Sequence, residues 1–171
     1  MVPDFQSHLP EDFHPDSRVW IYQSGRLFTM AEALSMEPVL QAFVQSWNSH
    51  GKPVKGYANL FFGRFLVLMA DESATGVSGC STDSSVRLVQ SLEKNFNTDF
   101  FNRQQLAFYI KEKVEVIPLS QLPYAWENGF ITGDTLYFNN LAATKTAWER
   151  EWIVPVKNSW LASRLNKPAA I

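Results

Sequence analysis

The chain has only one cysteine, Cys80, among its 171 residues. No disulfide can therefore form within the chain, and no zinc or iron–sulfur site built on several cysteines can be present. A single thiol in a chain of this length is typical of proteins kept in a reducing compartment. The sequence predicts a cytoplasmic protein and assigns it neither a cofactor nor a metal.

The sequence also has no cluster of charge of one sign and no long apolar run. Its 15 Lys and Arg oppose 17 Asp and Glu, for a net charge of −2. Binding to nucleic acid through phosphates needs a basic patch, which this sequence does not form. No segment approaches the roughly 18 apolar residues of a membrane span, and the opening residues 1–5 lack the basic and apolar regions of a secretory signal. We expect neither a nucleic-acid partner nor a membrane.

Apolar and aromatic residues are abundant, at 46% and 14% of the chain. A chain of this length and composition can bury one core without disulfide or metal support. Residues 1–16 contain three prolines and show no regular hydrophobic period, which predicts an irregular arm. No linker, repeat or low-complexity tract divides the rest, so we expect one α+β domain over residues 17–171.

The hydrophobic pattern from residue 17 predicts the element order βαββαβ. The predicted elements are a strand at 19–22, a helix after Thr29, strand-like runs at 54–62 and 64–70, a helix marked by Val86, Val89, Leu92 and Phe96, and a strand at 106–110. Thr29 and Glu32 have capping-box spacing, whereas Pro38 favours a regular helix that starts nearer Ser35. This order predicts a ferredoxin-like, four-stranded antiparallel sheet covered by two helices.

The remaining residues predict an extension that continues or wraps this sheet. Strand-like runs occur at 114–117 and 135–138, a short helix follows Ser120, and two segments carry Trp148 and Trp160. We expect a C-terminal extension of strands and short helices rather than a second domain.

The strongest candidate site is a stretch of small polar residues at the predicted start of the second helix. Its members are Gly79, Cys80, Ser81, Thr82, Asp83, Ser84 and Ser85. Exposed amides and the helix dipole favour a phosphate or carboxylate at such a place, and the hydroxyl groups add donors. The sequence therefore predicts that a small anionic ligand binds here. The alternative is that Ser81, Thr82 or Asp83 only caps the helix.

Cys80 offers a second interpretation of this stretch, as the nucleophile of a thiol-dependent enzyme. A thiolate at a helix start is stabilised by the dipole. No histidine is near it in sequence, and the alternative is a small buried side chain. The stretch lacks the Lys of a phosphate-binding P-loop, and six residues rather than five separate Cys80 from Arg87. An enzyme is therefore the less favoured prediction.

Several other residues are candidates of the second rank. Asn139 and Asn140 follow a strand and could bind a ligand or close a turn. Adjacent Asp71 and Glu72 suggest an acid/base pair or a polar strand end. In the arm, metal ligation competes with a solvated terminus for His8, Glu11, Asp12, His14 and Asp16.

Aromatic residues of the last third suggest a protein-interaction module instead of an enzyme. Trp148, Trp152 and Trp160 could line a groove for a partner or pack in the core. An open sheet face or edge could also join two copies into a homodimer. The partner is therefore a small anion or another protein.

Several strings together resemble a family of small uncharacterised bacterial proteins that are sometimes labelled ABC transporter ATPases. The resemblance spans about residues 17–165 and rests on four strings: residues 19–24, residues 79–86, residues 138–141 and the pair Ser159-Trp160. It implies a shared fold. It does not imply ATP hydrolysis, because the chain has no phosphate-binding Lys loop and no paired acidic strand motif.

A shorter likeness concerns residues 118–122, 128–131 and 134–138. Their cadence is similar to GYF-like peptide-binding modules, although the Gly-Tyr-Phe signature is absent. This likeness implies aromatic residues that dock proline-rich segments.

Overall fold

The structure is a computed structural model that describes residues 2–71, 73 and 79–165, with only the backbone of residues 79–81. The helices are α1 Met30–Ser46, α2 Gly79–Phe96, α3 Leu122–Glu127, α4 Lys145–Glu151 and α5 Leu161–Leu165. The strands are β1 Arg18–Gln23, β2 Asn48–Ser49, β3 Lys52–Pro53, β4 Lys55–Phe61, β5 Phe65–Asp71, β6 Gln105–Ile110, β7 Lys113–Pro118, β8 Leu136–Phe138 and β9 Ile153–Pro155. Short 3₁₀ turns occur at Gln6–His8, Leu119–Gln121 and Val156–Asn158.

The chain forms two compact units that interleave along the sequence. The larger unit contains Phe5–Asn102 and Asn140–Glu149, and the smaller unit contains Met1–Asp4, Arg103–Asn139 and Arg150–Ile171. No single linker separates them, so a search of the sequence for linkers could not detect the division. That residues 17–171 behave as one domain stays a prediction.

The larger unit is built on an antiparallel sheet in the order β1-β5-β4. The central strand β5 is buried along its whole length, as its unbroken apolar run predicts. Both α1 and α2 pack on one face of this sheet, where Met36, Leu40, Val89 and Leu92 meet Leu68 in one cluster. The predicted hairpin of β4 and β5 is confirmed.

The opposite face of this sheet is covered by the arm and by α4. Trp148 of α4 is fully buried, and its ring lies 5.3 Å from that of Phe61 and 5.9 Å from that of Phe5. Phe13 packs edge to face on Tyr57, at 6.4 Å. The arm is irregular apart from its 3₁₀ turn, and its aromatic residues belong to the core of the larger unit.

Helix α1 starts at Met30, so the expectation of a start nearer Ser35 is wrong. The capping box at Thr29 and Glu32 is complete, and Arg26 binds the Glu32 carboxylate at 2.8 and 2.9 Å. The hydrogen bond from Arg26, followed by that from the Thr29 backbone, lowers the pKa of Glu32 to about 2. These contacts fix the first turn, and the helix then continues through Pro38.

The smaller unit has its own antiparallel sheet, in the order β7-β6-β8-β9. Its core lies between this sheet and the short helices, where Phe108, Leu122, Tyr137, Val156 and Leu161 form one buried cluster. The strands at 114–117 and 135–138 and the helix after Ser120 are confirmed as β7, β8 and α3.

The α+β class is confirmed, but the predicted four-stranded ferredoxin-like sheet needs correction. The first five predicted elements are present as β1, α1, β4, β5 and α2, with β5 paired between β1 and β4. The sixth, β6, forms a strand as expected but pairs with β7 and β8 in the other sheet. Its apolar pattern satisfies either sheet, and the tight β6–β7 hairpin provides a partner that is adjacent in sequence.

Candidate functional site

The structure places residues 79–85 within the first two turns of α2 rather than in a turn before the helix. Only the first four amides of a helix lack a partner inside it, so the amides from Asp83 onward are committed to helical hydrogen bonds. Ser85 is fully buried, and its Oγ donates to the Thr82 carbonyl at 2.7 Å. An anion could therefore use only the first-turn amides and the remaining hydroxyl groups.

One prediction at this helix lies outside what the structure describes. The side chains of Gly79, Cys80 and Ser81 are not among the described groups, so the thiol interpretation stays a prediction. Further along the stretch, Ser84 Oγ accepts a hydrogen bond from Arg87 Nη2 at 3.2 Å.

Asn139 and Asn140 belong to different units and make different contacts. The Asn139 amide donates to the Trp152 carbonyl at 2.6 Å, while its side-chain oxygen is buried without a hydrogen-bond partner in the described part of the chain. Asn140 Nδ2 donates to Gln23 Oε1 at 3.0 Å within the larger unit. Both residues therefore tie their strand ends to neighbouring groups, and a ligand-binding role stays a prediction.

The three candidate tryptophans do not share one exposed groove. Trp148 and Trp152 are fully buried, each against other aromatic rings. Trp160 is 40% exposed, and its indole N–H donates to the Tyr137 hydroxyl at 3.1 Å. The core interpretation is therefore confirmed for Trp148 and Trp152. Burial of their large apolar area stabilises the fold more than exposure to water would.

Asp71 is a buried anion held by a complete set of donors. His14 N–H reaches one carboxylate oxygen at 3.0 Å, while the N–H and hydroxyl of Ser73 reach the other at 2.9 and 2.7 Å. Burial alone would raise the pKa of Asp71, but the bonds from Ser73 and His14 and the charge of Lys55 outweigh it and lower the pKa to about 2. This carboxylate is ionised at neutral pH, which does not suit a general acid. Glu72 lies outside the described residues.

Two of the arm residues that could ligate a metal, His14 and Asp12, are engaged in other ways. His14 Nδ1 accepts the Asp16 amide at 3.1 Å, and Asp12 pairs with Lys55 at 3.1 Å. Within residues 2–71, 73 and 79–165, no three His, Cys, Asp or Glu side chains are grouped closely enough to hold a metal ion.

The most exposed aromatic side chains lie in the smaller unit and form a stacked pair. Tyr124 is 64% exposed and Phe130 is 63% exposed, and their rings lie 6.4 Å apart at an angle of 25°. Because these rings remain largely in water, they contribute little to the stability of the fold. They offer large flat faces for contact with another molecule.

The backbone after α3 sets this pair in place. Leu122 and Ala125 face the core, which leaves Tyr124 on the outer side of the helix. The helix ends at Glu127, and Gly129 follows in the left-handed region at φ +71°. Gly129 N–H is bonded to Trp126 O at 3.1 Å and Phe130 N–H to Ala125 O at 2.9 Å. These two bonds define a Schellman motif.

The Schellman motif reverses the chain so that Phe130 returns beside Tyr124, while the next residue, Ile131, is buried. Sequence reasoning did not single out this pair. The Asn128-Gly129 dipeptide after a short apolar helix was the available signal, because such a pair favours a left-handed helix end.

Comparison of the chain with protein-family models, with curated proteins and with solved structures found no match. Among the described helices, none combines the length and the apolar character that crossing a membrane requires.

Proposed function

We propose that the protein is a non-catalytic interaction module that docks a proline-rich segment of a partner protein on the pair Tyr124 and Phe130. The observation that carries the proposal is the exposed, nearly parallel arrangement of these two rings. The hypothesis of an interaction module built on C-terminal aromatic residues is retained, but it now rests on Tyr124 and Phe130 instead of the three tryptophans.

The chemistry of the pair suits a polyproline helix. A proline-rich segment is already extended and ordered in solution, so binding costs little conformational entropy. Its pyrrolidine rings pack flat on aromatic faces, and the Tyr124 hydroxyl can donate to a carbonyl that polyproline leaves without a partner.

The surroundings of the pair are rigid enough to present it. Leu122 and Ile131, which flank the pair in sequence, are 0% and 1% exposed. The order of a hairpin, a short helix and a further strand in this unit also supports the likeness to GYF-like modules that the sequence suggests.

An anion site at α2 is a weaker candidate. Ser85 Oγ is already bonded to Thr82 O, and the later amides of the stretch are used within the helix. The lone cysteine supports a cytoplasmic location for the module as part of the same proposal.

The test is the affinity of the full chain for a fluorescent polyproline peptide, measured by anisotropy. We expect wild type to bind, and Tyr124→Ala and Phe130→Ala each to weaken binding about tenfold, as removal of a central aromatic contact does. Phe101→Ala is the matched control, because Phe101 is a 42% exposed aromatic of the larger unit. Binding that is absent, or that the two variants leave unchanged, overturns the proposal.

A further inference from the structure

The sheet of the larger unit has two edges, and they differ in cover. Along β1, Val19 N–H donates to Ala143 O at 3.0 Å, and Lys145 N–H donates to Ser17 O at 2.9 Å. Along β4, the described residues provide no strand beyond β5. An uncovered edge strand presents a row of main-chain donors and acceptors to any extended segment.

The open side of β4 can be identified from one hydrogen bond. Leu60 N–H donates to the side-chain oxygen of Asn59 at 2.9 Å, so this amide faces away from β5. Main-chain groups of alternate residues face the same side of a strand in an antiparallel ladder. Gly56 and Ala58 therefore direct their N–H and C=O groups towards the same edge as Leu60, although Ala58 is only 7% exposed and the Leu60 N–H is already bonded to Asn59.

A groove lined by both apolar and polar residues runs between this edge and helix α1, with a volume of about 490 Å³. Residues 56–60 form one wall, and Met30, Ala33, Leu34 and Glu37 contribute to the other. Met30 and Leu34 are 76% and 61% exposed. An apolar rim beside an unpaired strand is the geometry used by domains that bind a peptide as an added strand.

The charge of the groove selects the occupant. Glu37 is the one charged residue that lines it, and it makes no hydrogen bond or ion pair among the described residues. The other acid of α1, Glu32, is held by Arg26, and α1 contains no Lys or Arg. A second copy paired through β4 would bring another α1 with the same acid and no Lys or Arg, and the Lys55 of its β4 is already paired with Asp12 and Asp71. A Lys or Arg on a segment of a partner protein can form an ion pair with the Glu37 carboxylate.

We propose that this groove binds an extended segment of a partner protein that adds to β4 as a strand, with apolar side chains at alternate positions and a Lys or Arg opposite Glu37. The inference goes beyond the proposed function. It concerns the other unit and a β-strand ligand rather than a polyproline helix.

The test is selection from a phage-displayed library of random peptides, with the full chain as bait. Wild type should enrich peptides with alternating apolar residues and one Lys or Arg, and Glu37→Lys should enrich Asp or Glu at that position. Glu115→Lys makes the same charge change at an exposed site of the smaller unit and should keep the wild-type preference. An unchanged preference in Glu37→Lys, or no enrichment at all, overturns the inference.

A second measurement tests strand addition without altering the protein. The selected peptide should shift the amide signals of Gly56, Ala58 and Leu60, and N-methylation of alternate peptide amides should weaken its binding about tenfold through lost main-chain hydrogen bonds. Equal binding of the N-methylated peptide contradicts strand addition. If protection of these amides from hydrogen exchange rises with protein concentration in the absence of peptide, the edge pairs with a second copy, and the inference is overturned.

The polyproline proposal and the strand-addition proposal can fail independently of each other. Tyr124→Ala is expected to bind the selected strand peptide as wild type does, and Glu37→Lys to bind polyproline as wild type does. Weaker strand-peptide binding by Tyr124→Ala contradicts the assignment to the β4 groove.

Discussion

Asp71 at the end of β5 shows how one buried carboxylate fastens the arm to the sheet. Its donors come from His14 of the arm and from Ser73, and Lys55 of the neighbouring strand lies 3.7 Å away. Because buried acids persist only when they are hydrogen-bonded or paired, these contacts explain why an ionised group is tolerated at 5% exposure.

The pH dependence of stability should report this carboxylate. The pKa of Asp71 falls from 3.8 to about 2 on folding, so its contribution is complete above about pH 4 and is lost as the pH drops towards 2. The difference corresponds to about 2 kcal/mol of unfolding free energy at neutral pH. We expect Asp71→Asn to lose about that much at pH 7, and to show a flatter stability profile between pH 4 and 2, in urea titrations.

Asp134→Asn is the control for this prediction, because the Asp134 side chain is 83% exposed and pairs with Lys157 at the surface. It should change the unfolding free energy by less than about 1 kcal/mol. An Asp71→Asn variant with the same acid slope as wild type would show that the carboxylate is not stabilised as described.

At the scale of elements, α1 tolerates a proline that its sequence pattern argues against. Pro38 is exposed and has no N–H, so the Leu34 carbonyl receives no helical hydrogen bond from it. We expect Pro38→Ala to restore that bond and to raise the unfolding free energy by about 2 kcal/mol, somewhat less than the full helical cost of proline because the unfolded chain also becomes freer. Thermal and urea unfolding measure this change.

Gln45→Ala is the matched control in the same helix, since Gln45 is exposed and its replacement adds no hydrogen bond. Its stability should stay within about 0.5 kcal/mol of wild type. A Pro38→Ala variant that is no more stable than Gln45→Ala would mean that the proline ring makes compensating contacts.

The turn after α3 depends on glycine for its backbone and not for space. Gly129 has φ +71°, and a Cβ added there would meet no atom within 4 Å. Gly129→Ala should therefore cost about 1 kcal/mol through the left-handed conformation alone, and should weaken polyproline binding by disturbing the Tyr124–Phe130 pair. Unfolding and peptide titrations on the same samples measure both effects.

Gly133→Ala is the control within the same unit, because Gly133 does not have a positive φ and its added Cβ would make only ordinary contact with Lys157 at 3.5 Å. It should be neutral or slightly stabilising. Equal stability of the two variants would contradict the requirement for glycine at the Schellman motif.

The sequence predicted these elements well where local chemistry decides them. Thr29 and Glu32 predicted the start of α1, and the apolar run 65–69 predicted the central strand β5. Pro38 favours a start nearer Ser35, and the sequence pattern does not reveal the ion pair that Arg26, which lies outside the helix, makes with Glu32. The aromatic pair was missed because Tyr124 and Phe130 meet only after the left-handed turn at Gly129.

At the scale of the whole molecule, sheet membership was the feature that the sequence could not decide. The apolar pattern of β6 identifies it as a strand but does not identify its neighbour. The ferredoxin-like order would place β6 beside the edge of β1. That edge is instead contacted by Ala143 and Lys145, from a segment far along the chain. Long-range pairing of this kind has no local signature in the sequence.

The central claim is that the exposed pair Tyr124 and Phe130 docks a proline-rich segment. The most direct measurement is a nitrogen-15 NMR titration of the full chain with a polyproline peptide. We predict saturable shifts concentrated in the amides of α3 and of residues 128–131, and we expect Tyr124→Ala to need about tenfold more peptide to reach the same saturation. Shifts that are absent, that lie elsewhere, or that saturate at the same peptide concentration in Tyr124→Ala would contradict the account.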